Sequence, residues 1–300
     1  MRLRADPVLC AAQGFVTLEI VSGEETRLSP AISDRRDAVR FALAYPFEKP
    51  QGSFVWADGR VLPLDTLDLG NLGDTRVRSP AGNGALGELM SALYGDERAG
   101  QEEWLDERVI VLAHGSNSAP ERLLQKFPGG EGVPEIVPVL KARIDDWAVV
   151  YAAALSGYAS IPATLEPVDT ASAEVHVTLL TRRQLEIMNA TEDLGVEYNL
   201  HRIDSSLLYL EDLHASSGLE VDAYISCHGA MRMDGKPVAL AAVPQSGHGF
   251  EALVQPDMQK RLHGLTAPEL PFDDFVAGNI KGEAGRARTL EAIARHCRSE

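Results

Sequence analysis

The chain is poor in cysteine, in aromatic residues and in positive charge. Three cysteines in 300 residues, Cys10, Cys227 and Cys297, are odd in number and widely spaced. They do not read as a disulfide framework, so a reducing, cytoplasmic setting is the expectation. Lys and Arg number 28 against 44 Asp and Glu, a formal net charge of −16. Nucleic acid and anionic membranes both select basic surfaces, so neither is an expected partner. No apolar run approaches the length of a membrane span. The opening segment, MRLRADPVLCAAQGFV, is interrupted by Asp6, Pro7 and Gln13 and is not expected to act as a signal peptide. Metal-type Cys/His spacings, internal repeats and low-complexity segments are also missing. What remains is an ordinary globular composition, 45 % hydrophobic and 24 % charged, with ample chain for a large core.

Residues 1–105 read as an N-terminal β-containing extension or small domain. Gly14–Ile20 is an expected strand, and Ser53–Leu64 an expected hairpin turning at Asp58-Gly59. Asp65–Asn83 reads as loop. Leu86–Tyr94 reads as a short helix with Leu86, Leu89, Met90 and Leu93 on one face. The polar stretch Gly95–Glu107 is the expected boundary. Strands then follow at Val109–Ala113, Trp147–Leu155, Ala173–Leu180, Val196–Ile203, Asp222–Cys227 and Pro237–Val243. Helices are expected at Ala119–Phe127 and Arg182–Glu192. This is an α+β pattern with a largely β core, read as a mixed, barrel-like sheet over residues 106–248 with flanking helices. Residues 249–300 read as a helical segment, with Leu290, Ile293, Ala294 and Cys297 at helical spacing.

Two elements carry the chemistry. The strand Val109–Ala113 runs into a small-residue turn, His114-Gly115-Ser116-Asn117, and then a helix with Ser118 and Glu121 at capping-box spacing. Such a turn aims backbone N–H groups at one point, which suits a carboxylate or an oxyanion. The second element is Arg182–Glu192. Thr181 and Gln184 have capping-box spacing at its start, and Glu192 shares the apolar face of Leu185 and Met188. Burial and the C-terminal end of the helix dipole should both raise the pKa of this carboxyl, toward the range useful for proton transfer.

In this order the two elements resemble the γ-glutamylcyclotransferase-like superfamily, whose hallmark strand ends in Tyr-Gly-Ser-Asn. Here that signature reads His114-Gly115-Ser116-Asn117. Gly157-Tyr158-Ala159-Ser160-Ile161-Pro162 resembles the family's glycine-rich stretch, LEIMNATE at Leu185–Glu192 its acid-bearing helix, and Tyr198 the aromatic residue beyond it. The resemblance spans roughly residues 108–245 and implies cyclisation of a small γ-glutamyl amine or amide to 5-oxoproline. It implies Glu192 as general acid and base, with Gly115, Ser116 and Asn117, bordered by His114 and Tyr198, as substrate-binding residues. It implies no cofactor and no metal. The chain departs from the pattern at His114, where the family has Tyr, and at Asp193, where Gly is common. His114 is expected at the pocket mouth, titrating near neutrality. The rival reading is a non-catalytic ligand-binding or interaction protein of the same fold. An amidohydrolase releasing free glutamate would differ in its product.

Other motifs read as structure. Gly82-Asn83-Gly84-Ala85-Leu86-Gly87 matches GxGxxG, but the polar stretch before it argues against a buried strand and favours a plain loop. Ser246-Gly247-His248-Gly249 lacks nucleophile-elbow spacing and reads as a flexible loop able to close over a pocket. Cys227 and His228 are strand neighbours whose side chains point apart. His114, His176 and His228 are a minor metal possibility.

Overall fold

The computed structural model describes residues 34–79, 82–95, 108–128, 135–211 and 219–297. The expected strand at Gly14–Ile20, Cys10 and most of the boundary segment Gly95–Glu107 lie outside them. The described chain opens with helix α1 (Arg35–Leu43), capped by Asp34, whose side chain accepts from the Asp37 N–H. Strands β1 (Phe54–Ala57) and β2 (Arg60–Thr66) then form the expected hairpin. Asp58 and Gly59 both take positive φ, 43° and 81°, as a primed two-residue turn requires. Asp58 is held there from two sides, accepting from the Glu135 N–H at 2.8 Å and from Tyr94 Oη at 2.5 Å.

Asp65–Asn83 is not simply loop. It contains a 3-10 turn (Leu72–Asp74), strand β3 (Arg76–Ser79) and the start of β4 (Gly82–Ala85), paired antiparallel from Arg76↔Ala85 to Ser79↔Gly82. The strand signal is weak because β3 buries only Val77 and β4 is half glycine. The GxGxxG glycines thus start on a strand, and helix α2 (Leu86–Tyr94) follows directly.

The sheet is built on one long antiparallel pair, β6 (Ile136–Tyr151) and β7 (Ala163–Leu180). Only the ends of these strands had a legible pattern. The middle of β6 carries Lys141, Arg143 and Asp145, which form ion pairs with Glu174, Glu211 and one another at the sheet surface. Strand β5 (Val109–Ala113) lies antiparallel to β7 and parallel to β10 (Val221–Ser226), which pairs with β8 (Tyr198–Ile203). On the other side β1 pairs with β6, from Phe54↔Val139 to Ala57↔Ile136. The order is β4-β3-β2-β1-β6-β7-β5-β10-β8, a mixed sheet. Among the described residues the end strands β4 and β8 do not pair, so the sheet is open rather than a closed barrel. Shorter strands complete it: β9 (Leu208–Leu210), β13 (Ala239–Leu240), β14 (Gln245–Ser246) and β15 (Ala252–Leu253), while β11 (Arg232–Met233) and β12 (Lys236–Pro237) pair with each other in a separate two-stranded sheet. The single strand expected at Pro237–Val243 is therefore two short pieces.

Helices cover both faces. Helices α3 (Pro120–Lys126) and α4 (Arg182–Thr191) place Leu123 and Met188 against Phe54, Trp56, Val111, Val137 and Val139. The main core lies on the other face, where α1 meets α5 (Gln255–Thr266), α6 (Phe272–Gly278) and α7 (Ala284–His296). Strand alternation divides β1 between the two: Phe54 and Trp56 enter one cluster, Val55 and Ala57 the other. Both expected divisions of the chain are bridged by strand pairing, the first by β1–β6 and the second by β13–β15. No described helix is long and apolar enough to cross a membrane.

Two local expectations are corrected. Ser118 does not cap α3. Pro120 disfavours helical backbone in the residue before it, so Ala119 stays extended, with φ −77° and ψ 129°, and becomes the cap. The Ser246–Gly249 loop is pinned rather than free to close. Gln245 and Ser246 pair with β7, and Thr170 Oγ1 donates to the Gly247 carbonyl at 2.8 Å.

A Cβ at Gly247 would lie 1.8 Å from the Thr170 carbonyl oxygen, and φ is +77°. Gly247→Ala should lower stability by at least about 2 kcal/mol, because backbone has to shift and the conformation is strained. Urea unfolding midpoints of the two proteins check this.

Candidate active site

The turn after β5 and the end of α4 open onto one cavity of about 550 Å³. Gly115, Ser116 and Asn117 line it from one side, Glu192 and Tyr198 from another, and the Gly157–Pro162 stretch from a third. The sequence-expected residues are therefore brought together. Ser116–Ser118 forms a 3-10 turn, whose first N–H groups have no partner within the turn. Gly115 is required by a close approach. A Cβ there would sit 2.5 Å from Tyr45 Oη. That hydroxyl accepts from the Ala163 N–H at 2.7 Å, and Tyr198 Oη donates to the Ala163 carbonyl at 3.1 Å. Two tyrosines thus grip the first residue of β7. Burial raises both phenols well above the usual tyrosine value, with neighbouring tyrosines and Glu192 adding to it, so both stay protonated.

The capping box at Thr181 and Gln184 forms as expected and fixes where α4 begins. Ten residues later its C-cap is Glu192, and Met188 one turn earlier is fully buried. The Glu192 side chain is 15 % exposed and is not alone. Lys126 Nζ donates to Glu192 Oε1 at 2.6 Å, to Asn117 Oδ1 at 2.9 Å and to Met188 Sδ at 3.0 Å. The expected upward shift of the carboxyl is overturned. Desolvation does push it up, but the charge and hydrogen bond of Lys126, a hydrogen bond from Asn117 and the charge of Arg122 together hold it below the usual Glu value. The geometry is that of a close ion pair.

His114 is also corrected. It lines the cavity but is only 6 % exposed, and its Nδ1 has no hydrogen-bond partner. Burial and then the charge of Lys49 push its pKa down to about 4. The ring is neutral at physiological pH and cannot supply a charge that titrates near neutrality. His176 is driven down to about 3 by burial, Lys49 and Lys141. His228 sits 2.9 Å from Glu197. Among the described residues, no group of three or more His, Cys, Asp or Glu side chains could hold a metal ion.

Lys126, Arg122 and Tyr45 were not among the residues expected at the site. Arg122 and Lys126 are four residues apart on α3, directly after the small-residue turn, and that spacing on one helix face was a readable signal. Arg122 lies over the Tyr158 ring at 4.7 Å, Phe47 at 5.7 Å and Phe41 at 5.9 Å. Tyr45 gave no signal, because nothing local connects it to residues 115 and 163.

The folded-state pKa of Glu192 lies below its unfolded value. Its stabilising contribution is therefore complete above the ordinary Glu range and lost as pH falls through the depressed value. Lys126→Met leaves a largely buried carboxylate without its cation, which reverses the shift. That variant should lose about 3 kcal/mol at pH 7 and recover part of it as acid protonates Glu192, opposite to the wild-type trend for this group. Denaturant unfolding of both proteins between pH 4 and pH 8 measures it.

No family model matches the chain, and no curated protein matches it. Solved structures do. An uncharacterized human protein is 14 % identical, with a TM-score of 0.31, over 62 % of this chain and 88 % of that one. A structure described as gamma-glutamyl cyclotransferase is 12 % identical, with a TM-score of 0.33, over the same shares of the two chains. With identities and TM-scores this low, the two likenesses decide neither the substrate nor the reaction.

Proposed function

We propose that this protein is a γ-glutamylcyclotransferase-type enzyme that converts a small γ-glutamyl amine or amide to 5-oxoproline and the free amine. The observation that supports it is the meeting of Glu192 and the Gly115–Asn117 turn across one cavity, from distant parts of the sequence. A carboxylate facing backbone donors is what proton transfer beside a developing oxyanion requires.

In this reading the substrate's α-ammonium enters beside Glu192 and gives it a proton. The freed amine attacks the γ-carbonyl carbon, forming the C–N bond of a five-membered lactam. The carbonyl oxygen becomes an oxyanion, met by the N–H groups of the 115–117 turn. As the oxyanion collapses, the original amide C–N bond breaks and Glu192 returns its proton to the leaving nitrogen; the ring nitrogen then gives up its second proton by way of Glu192, so a neutral lactam and an ammonium leave. The substrate carries its own nucleophile, so most of the acceleration would come from folding it into a near-attack geometry. Lys126 has a definite part. It keeps Glu192 ionised in the empty site, and an incoming ammonium competes with it for the carboxylate. His114 and Tyr198 act as cavity walls. Residues 1–105 contribute Tyr45 to the same cavity.

One observation favours a second reading, a ligand-binding protein without turnover. Glu192 is committed to an ion pair and held below the usual carboxyl range, not raised toward neutrality as a general acid would be.

Incubation with a panel of γ-glutamyl compounds, assayed for 5-oxoproline with and without a chelator, separates the readings. Turnover is expected and should survive chelation. In Glu192→Gln, kcat should fall on the order of 10²–10⁴-fold. The variant should also lose some stability, since Lys126 loses its counter-charge. Product release by Glu192→Gln at the wild-type rate would remove Glu192 from the chemistry.

A further inference from the structure

Arg122 is a second, independent feature of the cavity. It lines the wall, yet it is only 7 % exposed. Its guanidinium faces are occupied by the rings of Tyr158, Phe47 and Phe41. The donors at its edge are not all used. Nη1 donates to Gln125 Oε1, while Nε is buried with no partner. A guanidinium cannot shed its proton, so a buried one needs an anion or acceptors in its own plane.

Among the described residues, no carboxylate makes a hydrogen bond or ion pair with this guanidinium. Glu192, the buried carboxylate of the cavity, is taken by Lys126 at 2.6 Å. Glu197 pairs with His228 at 2.9 Å, and Asp193 is exposed. The other cations of the lining are otherwise placed. Arg286 donates to the carbonyls of Leu155, Ser156 and Asn279, and Lys281 is exposed at the rim. Among the described residues, the buried part of the site therefore holds two cations, Arg122 and Lys126, against one anion, Glu192, in a chain whose net charge is −16.

We infer that Arg122 anchors a carboxylate-binding site, and that the cavity takes a small organic acid whose carboxylate lies in the guanidinium plane at the edge that opens on the cavity. The planar fork matches the two oxygens of a carboxylate. The flanking aromatic rings form an apolar wall for the carbon skeleton. This assignment does not rest on the cyclisation chemistry, since it holds equally for a binding protein.

The test is equilibrium binding by calorimetry at low ionic strength, using glutarate and 5-oxoproline, each against its neutral amide, and inorganic phosphate. The proteins are wild type, Arg122→Gln and Arg122→Lys, each first compared by circular dichroism and thermal midpoint. Wild type should bind the acids about 10- to 100-fold more tightly than their amides. Arg122→Gln should lose that preference while its amide affinity changes little. Arg122→Lys keeps the charge without the fork, and should fall between. If Arg122→Gln does not fold, the comparison of wild type with Arg122→Lys still decides. Equal binding of acids and amides by wild type, no binding of either acid, or wild-type acid affinity in Arg122→Lys would overturn the assignment. So would phosphate binding more tightly than both acids. No arm measures turnover, so these failures stay distinct from failure of the Glu192 chemistry.

Discussion

Lys126 and Glu192 each sit where a single charge would be costly, and each is tolerated because the other is 2.6 Å away. The Lys126 side chain is only 1 % exposed. Burial pulls its pKa down while Glu192 pulls it back up, and Glu192 experiences the mirror image. Such pairs seldom exceed well-packed apolar residues in net stability, but losing one member leaves the other stranded. The pair also joins α3 to α4, and Asn117 joins it through the same ammonium. The geometry of the turn, the position of the carboxylate and its protonation state are thus one coupled quantity.

The legible parts of the sequence were those governed by local rules. The hairpin at Asp58-Gly59, the helix Leu86–Tyr94, strand Val109–Ala113 and the capping box at Thr181 depend on neighbours a few residues away, and all stand where expected. The long strands were legible only at their ends, because the surface-facing charges in the middle of β6 hide the alternation. β3 and β4 had too few apolar residues to show a period. In the site, the acid and the turn could be read from motif and face, but the charge state of the acid could not. It depends on Lys126, whose spacing from Arg122 is visible in the sequence but whose pairing with Glu192, 66 residues away, is not. His114 failed for the same reason: its titration is set by burial beneath other elements and by Lys49, neither of which its own strand reveals.

The cavity is also shared work between distant parts of the chain. Tyr45 reaches it from just beyond α1, and Phe41 and Phe47 stack on Arg122 from the same segment. A motif confined to residues 108–245 therefore describes only part of the wall. An aromatic hydroxyl, that of Tyr45, stands against Gly115, brought there from a distant part of the chain.

Strand β1 belongs to both cores. Its four consecutive side chains alternate between two cores on opposite faces of the sheet, and its backbone is bonded to β6. Removing it would open both cores at once and bare an edge of the central pair. Both cores therefore depend on β1, and its pairing with β6 ties segments on either side of residue 105 together. The closing contacts, Phe54 to Val139 through Ala57 to Ile136, join segments far apart in sequence. Folding of this chain must therefore wait for a long loop to close, which makes it slow for its stability and leaves β6 open to strand-seeking neighbours until β1 arrives.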